Sequence, residues 1–109
     1  MEGIVTKFDN NCIICGKPKE CEHHLIPGIA TRELCEEDGL KVPMCNRHHN
    51  MGSNAESIHG SGTAETLSKI VGQLTWEREW ILGQLEDDRE YVSSKARREF
   101  MLRYGKSYL

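Results

Sequence analysis

The sequence has no apolar run that approaches the roughly 18 residues of a membrane-spanning helix, and nothing near its N-terminus is typical of a signal peptide. It also has no internal repeat and no low-complexity segment. These absences argue against an integral membrane protein, a secreted precursor and a repeat array. We therefore expect a soluble, intracellular protein with no membrane partner.

Size and cysteine content limit the fold. At 109 residues, 38% of them hydrophobic, the chain has room for one domain whose modest core would benefit from a bound metal ion. Its five cysteines are an odd number, and in a reducing compartment C-x-x-C spacing favours thiolate metal ligands over disulfides. We predict that Cys21 and Cys35, which lie outside such spacing, are small buried residues.

Cysteine and histidine form two ligand pairs, each enclosing two residues. Cys12 and Cys15 make the first pair, and Cys45 and His48 make the second. Two such pairs separated by a long loop predict a tetrahedral zinc site. Because four protein ligands leave the ion no open position, this zinc can only be structural.

All five histidines lie between residues 23 and 59, and four of them remain after the zinc site is assigned. His23 and His24 are predicted on a strand, where neighbouring side chains point to opposite faces. One of them can therefore bind metal while the other stays free to act as a base. Together with His49 and His59, three imidazoles and a remaining position for water indicate a catalytic divalent metal.

Two different patterns divide the chain. Residues 12–62 are rich in turn residues, and we predict that their short apolar runs, Leu25-Ile26 and Leu40 to Met44, are strands of a hairpin bracketed by Pro27-Gly28 and Asp38-Gly39. Residues 63–109 show helical periodicity. The first predicted helix begins near Thr63 with its apolar face at Leu67, Ile70, Val71, Leu74, Ile81 and Leu85. The second has Asp87-Asp88 as its cap, Val92, Ala96, Phe100 and Tyr104 as its repeat, and Gly105 as its end.

The formal charge of −3 conceals a basic C-terminal segment. Residues 89–109 hold six basic side chains against two acidic ones. Within this segment Arg97 and Arg98 are candidate DNA contacts, and Arg32 and Arg47 are candidates near the histidines. An ordinary solvated surface is the alternative for all four.

The cysteines and histidines, taken with the residues between them, resemble the HNH (His-Asn-His) endonuclease family, most closely its zinc-stapled phage-type members. The resemblance covers residues 12–59. It is carried by Cys12-x2-Cys15, by His23-His24-Leu25-Ile26-Pro27, and by Leu40-Lys41-Val42-Pro43-Met44-Cys45-x2-His48-His49-Asn50. It implies an α+β fold in which a small, treble-clef-like ββα-metal core at 12–62 carries a helical extension at 63–109, within one nuclease domain.

The resemblance also implies roles for individual residues. His24 takes the place of the general base, and His23 and His49 take those of catalytic metal ligands. His48 replaces the fourth zinc cysteine beside Cys12, Cys15 and Cys45. His59 follows the zinc site as a histidine does in some members, which makes it a third ligand of the catalytic metal. That metal would be Mg²⁺, Mn²⁺, Ni²⁺ or Zn²⁺.

Two positions of the family pattern allow more than one assignment in this sequence. Leu40 stands where the family has its central Asn, so the role of that Asn in orienting the base is either missing or filled by Asn46, Asn50 or a backbone carbonyl. Glu22 is a rival metal ligand, and if it bound the metal, His23 would become the base. We prefer His24 because His24-Leu25-Ile26-Pro27 keeps the family's spacing from base to proline.

The resemblance thus implies a metal-dependent DNA endonuclease of low sequence specificity, encoded by a phage or prophage and acting in DNA processing or recombination. The main alternative is a non-catalytic zinc module that recognises nucleic acid or protein. It explains the four zinc ligands equally well but leaves the other histidines without a role. A homodimer assembled through the C-terminal helices is a third interpretation, compatible with either.

Overall fold

In the computed structural model, residues 1–84 and 89–109 are described, and they form a small α+β fold. Its elements are β1 (Cys21–His24), α1 (Ile29–Asp38), β2 (Lys41–Met44), a π-helical turn (Arg47–Met51), α2 (Gly62–Leu82) and α3 (Arg89–Tyr104). The two strands pair antiparallel, and helices follow them. This confirms the predicted fold class, a two-stranded hairpin followed by helices, with a Cys/His cluster that could hold zinc.

The sheet register determines which histidine faces the interior. In the antiparallel pairing, His23 lies opposite Val42 and His24 lies opposite Lys41. Since neighbouring strand residues point to opposite faces, His23 is buried with Val42, whereas His24 is only partly buried. The pair is therefore divided between two environments, as the sequence predicted.

Helix α1 is the element that the sequence did not predict. The segment between the strands was expected to be a simple hairpin connection, but it contains a ten-residue helix. Only Cys35 of these ten residues is buried, so the helix lacks the apolar period by which a helix is recognised. The helix ends where Gly39 takes a left-handed conformation with φ of 72° and returns its N–H to the carbonyl of Cys35.

The predicted apolar face of α2 is wrong. Leu67, Val71 and Leu74 are 55%, 42% and 52% exposed. The helix instead buries Ser68, Gly72, Gln73 and Glu77. No helix within residues 1–84 and 89–109 combines the length and the apolar character that a membrane crossing requires.

The buried polar side chains of α2 are tolerated because each of them has a hydrogen-bond partner. Ser68 bonds to the His23 ring and to the Leu25 carbonyl. Gln73 donates to Glu77 and Ser107 and accepts from the backbone of Tyr108. Gly72 lets α2 approach closely, since a Cβ there would lie 3.0 Å from side-chain atoms of Leu25 and Ile26.

Helix α3 packs as predicted, and its buried face joins the hairpin and α1 in one core. Val92, Ala96, Phe100 and Tyr104 are all buried, and Gly105 follows the helix with a φ of 90°. Phe100 stacks on Tyr104 at 4.6 Å between ring centroids, and both belong to one core cluster with residues of the hairpin and α1. The predicted cap at residues 87–88 and the apolar position at residue 85 lie outside the described residues.

The end of α1 is fixed by one carboxylate. Asp38 accepts hydrogen bonds from the Trp76 indole at 3.0 Å, the Tyr104 hydroxyl at 2.9 Å and the Arg103 guanidinium at 2.7 Å. Helices α2 and α3 thereby hold the C-terminal end of α1 against the hairpin. This anchoring matters because α1 forms one wall of the cleft described below.

Candidate metal centres

The first centre brings together Cys12, Cys15, Cys45 and His48, whose ligand atoms all lie within 4.8 Å of one another. The sulfurs of Cys15 and Cys45 are 3.8 Å apart, and the Nδ1 of His48 lies 3.2 Å from the Cys45 sulfur. With Zn–S bonds of about 2.3 Å, tetrahedral geometry separates two thiolates by about 3.8 Å. The cluster therefore fits a zinc ion with four protein ligands.

Local backbone structure prepares this centre for an ion. The Cys12–Cys15 turn is closed by the Gly16 N–H on the Cys12 carbonyl at 2.9 Å, and the Ile13 N–H joins it to the carbonyl of Pro43 in β2 at 2.9 Å. Burial acts to raise the pKa of Cys12. Hydrogen bonds from backbone N–H groups, foremost that of Cys15, outweigh burial and lower this pKa to about 6. Thiolate is the form that binds metal.

The second centre brings together His23, His49 and His59, whose ligand nitrogens also lie within 4.8 Å of one another. They come from β1, the π-helical turn and the loop before α2. The Nε2 atoms of His49 and His59 are 2.9 Å apart. A backbone hydrogen bond of 3.1 Å from the N–H of His59 to the carbonyl of His49 brings the loop over the turn.

Hydrogen bonding assigns the tautomer of His23. The Ser68 hydroxyl has one hydrogen, and it donates this hydrogen to the Leu25 carbonyl at 2.6 Å. At 2.8 Å, Ser68 Oγ must therefore accept from His23 Nε2–H. The Nδ1 of His23 is then an unprotonated acceptor, and it is the buried side-chain atom without a partner among the described residues. An orphaned lone pair inside a histidine cluster fits a metal ligand.

The same surroundings lower the pKa of two of these imidazoles, those of His23 and His49. Burial, followed by the neighbouring His59 and His49, lowers the pKa of His23 to about 3. Burial, followed by His59, also lowers the pKa of His49. Only neutral imidazole binds metal, so these lowered pKa values favour the metal-binding forms of His23 and His49 at neutral pH. On the outer side, a Glu65 carboxylate oxygen lies 3.4 Å from Nδ1 of His59.

His24 lies outside both clusters but lines the same cleft as the three histidines. The cleft has a volume of about 870 Å³ and includes Arg32, Glu33 and Glu36 of α1. His24 Nε2 is 2.8 Å from Glu36 Oε2. The cleft is thus lined by three clustered imidazoles and by a fourth, that of His24, which lies outside their cluster.

The structure places the rival residues outside the three-histidine cluster. Glu22 is exposed, and its carboxylate lies 3.5 Å from the Lys41 ammonium rather than in the histidine cluster. Asn46 bonds to Glu20 through its backbone and its side chain. Leu40 is fully buried in the core. The geometry favours His23 over Glu22 as a ligand, and the hydrogen bond made by the ring of His24 is to Glu36.

The four candidate arginines are dispersed. Arg32 is exposed and borders the cleft. Arg47 borders a separate cavity beside the zinc cluster and lies 3.8 Å from Glu56. Arg97 is held by Glu77 at 2.9 Å, and Arg98 is exposed on α3. Only Arg32 reaches the histidines' cleft.

Sequence reasoning missed Ser68, Glu65 and Glu36, which contact His23, His59 and His24 respectively. No local pattern distinguishes these residues, because each meets its histidine only after folding. Comparisons of the chain with protein-family models, with curated proteins and with solved structures give no match. What the site does is therefore argued from its own residues.

Proposed function

We propose that the protein is a metal-dependent endonuclease that hydrolyses phosphodiester bonds in DNA. The observation that supports this best is the pairing of two unlike centres. One groups four candidate ligands, whereas the other groups three histidines that line a cleft beside His24, which belongs to neither group. Three protein ligands with an open position are typical of catalytic metals, and four are typical of structural ones.

His24 would act as the general base. Its imidazole takes a proton from a water molecule in the cleft, and the water oxygen forms a bond to phosphorus as the bond to the 3′-oxygen breaks. The products are a 5′-phosphate and a 3′-hydroxyl, the latter protonated from solvent. A metal bound to the three histidines supplies Lewis-acid stabilisation of the negative charge that develops on the phosphate and leaving oxygens.

Charge in the cleft supports a metal-dependent rather than a metal-free reaction. Three glutamates, Glu22, Glu33 and Glu36, line it, and Arg32 is the arginine among its lining residues. Lys41 neutralises part of this charge through Glu22 and Glu36. A phosphodiester would still meet net negative charge, which a divalent cation at the histidines offsets.

The resemblance to HNH endonucleases supports the same proposal, because it assigns base and ligands to the residues that meet in the cleft. On this proposal a phage or prophage origin and a role in DNA processing follow from the family. The homodimer through α2 and α3 stays a prediction. The exposed apolar side chains of α2 that it would use are Leu67, Val71, Leu74 and Leu82.

Plasmid nicking tests the proposed activity. Zinc-loaded protein supplied with Mg²⁺, Mn²⁺, Ni²⁺ or additional Zn²⁺ should nick DNA, and excess chelator should stop the reaction. His24→Ala, purified identically, controls for contaminating nuclease and should reduce the rate roughly 10²- to 10⁴-fold, as for other general bases. Protein that binds DNA but cuts none with any of these metals would instead be the non-catalytic module.

A further inference from the structure

Helix α1 supplies a partner for the base that the sequence pattern does not contain. Where the resemblance calls for a central Asn, Leu40 is buried in the core. The group that does contact the ring of His24 is the carboxylate of Glu36, at 2.8 Å from Nε2. Both side chains line the cleft of the three histidines.

The Glu36 carboxylate is held at both oxygens. Oε2 meets His24, and Oε1 accepts from the Lys41 ammonium at 2.6 Å. Lys41 lies opposite His24 across the sheet. Both side chains therefore reach the same carboxylate, which α1 supplies. Lys41 first, and His24 second, lower the pKa of Glu36 to about 2. It is therefore ionised at neutral pH and can only accept hydrogen bonds.

An acceptor at Nε2 assigns the proton on the His24 ring. Nε2 must carry hydrogen to bond the carboxylate, which leaves the lone pair on Nδ1. The carboxylate also stabilises the imidazolium once Nδ1 has taken a proton, as an acidic partner does in other His-based sites. The support is rigid, because Asp38, two residues later, fixes the end of α1 to α2 and α3.

We propose that Glu36 is the positioning residue for His24: it fixes the Nε2–H tautomer and makes Nδ1 the atom that accepts the proton from water. The inference rests on the proposed nuclease function. Its side chain bonds to His24 and Lys41 and is not part of the three-histidine cluster, so its proposed effect on the reaction is exerted through His24.

Kinetics of three variants test this. Glu36→Ala should lower kcat roughly 10- to 100-fold, less than loss of the base itself, with little change in KM for DNA. Glu37→Ala is the matched control, because Glu37 is the next acidic residue of α1 but pairs with Arg103 and does not line the cleft. It should leave kcat within about threefold.

The double variant separates positioning from an independent effect. If Glu36 acts through His24, then His24→Ala/Glu36→Ala should be no slower than His24→Ala alone. A further drop of tenfold or more would overturn the inference, as would a Glu36→Ala enzyme with unchanged kcat. Wild-type activity in the same assay shows whether the proposed function itself holds.

The ring tautomer gives a readout that needs no activity. Long-range ¹H–¹⁵N NMR of the zinc-loaded protein at neutral pH should show His24 in the Nε2–H form in the wild type. Glu36→Ala should give a mixture of tautomers, and Glu37→Ala should match the wild type. If His24 carries its proton on Nδ1 in the wild type, or if Glu36→Ala leaves the tautomer unchanged, Glu36 does not position the base.

Discussion

Replacing Cys12 with Ala should leave most of the chain unfolded. Cys12 is at once a ligand of the closed cluster and a buried member of the core. A four-ligand zinc site contributes on the order of 10 kcal/mol or more to folding. A domain of this size has a net stability of roughly 5–15 kcal/mol. The loss of the site would therefore cost about as much free energy as the net stability of the whole fold.

Without the zinc site, a small set of interactions would hold the segment before β1 to the rest of the fold. Backbone hydrogen bonds join it to the rest at Ile4, Ile13 and Glu20. Cys35→Ala is the matched control, since Cys35 is fully buried but belongs to neither metal cluster. Its loss should cost only about 1–2 kcal/mol, the lower end for a core truncation.

Zinc content and thermal melting followed by circular dichroism measure the effect. The count is best made in the His49→Ala background, so that zinc in the histidine cluster does not contribute. We expect one tightly bound zinc with a cooperative melt for the Cys35→Ala protein, and neither for the Cys12→Ala protein. A full equivalent of zinc and a cooperative melt in the Cys12→Ala protein would refute the assignment of this cluster.

Three further predictions concern α2 and α3. Ser68→Ala should weaken metal binding at the histidine cluster about 10- to 100-fold in calorimetry, and unchanged affinity would argue against its orienting role. Gly72→Ala should lower the melting temperature although Ala is the better helix former, because the added Cβ meets core side chains at 3.0 Å; a raised melting temperature would contradict this packing. Arg97→Ala should destabilise the fold by about 1–3 kcal/mol by leaving Glu77 buried without its cation, whereas Arg98→Ala should reduce the salt slope of DNA binding by about one. The reverse pattern would make Arg97 the phosphate contact.

The candidate zinc ligands could be predicted from the sequence because their chemistry and spacing are local. Cys12-x2-Cys15 and Cys45-x2-His48 each form a pair before any tertiary contact is considered, and the structure brings both pairs together. The division of His23 from His24 followed equally from the two-residue period of a strand.

Helix faces were predictable only where burial and apolarity coincide. In α3 the buried positions are Val92, Ala96, Phe100 and Tyr104, so periodicity found them. In α2 the buried Ser68 and Gln73 are satisfied by partners 45 and 35 residues away, His23 and Tyr108. The periodicity of a sequence does not identify such distant hydrogen-bond partners.

The group that holds the proposed base was hidden for a related reason. Glu36 reaches His24 only because the segment after β1 forms α1, a helix with one buried residue and no apolar stripe. Missing the helix therefore meant missing the carboxylate. The loss of the family's Asn at residue 40 was visible in the sequence, but its replacement was not.

Metal titration of activity in two variants tests the central claim most directly. His49→Ala removes a ligand of the open cluster, so its nuclease activity should be low at micromolar Mn²⁺ and recover in part at millimolar Mn²⁺. His24→Ala removes the base without removing a ligand, so its activity should stay roughly 10²- to 10⁴-fold below wild type at every metal concentration. If added metal restored His24→Ala but not His49→Ala, or if neither variant differed from wild type, the assignment of one base beside a three-histidine metal would be wrong.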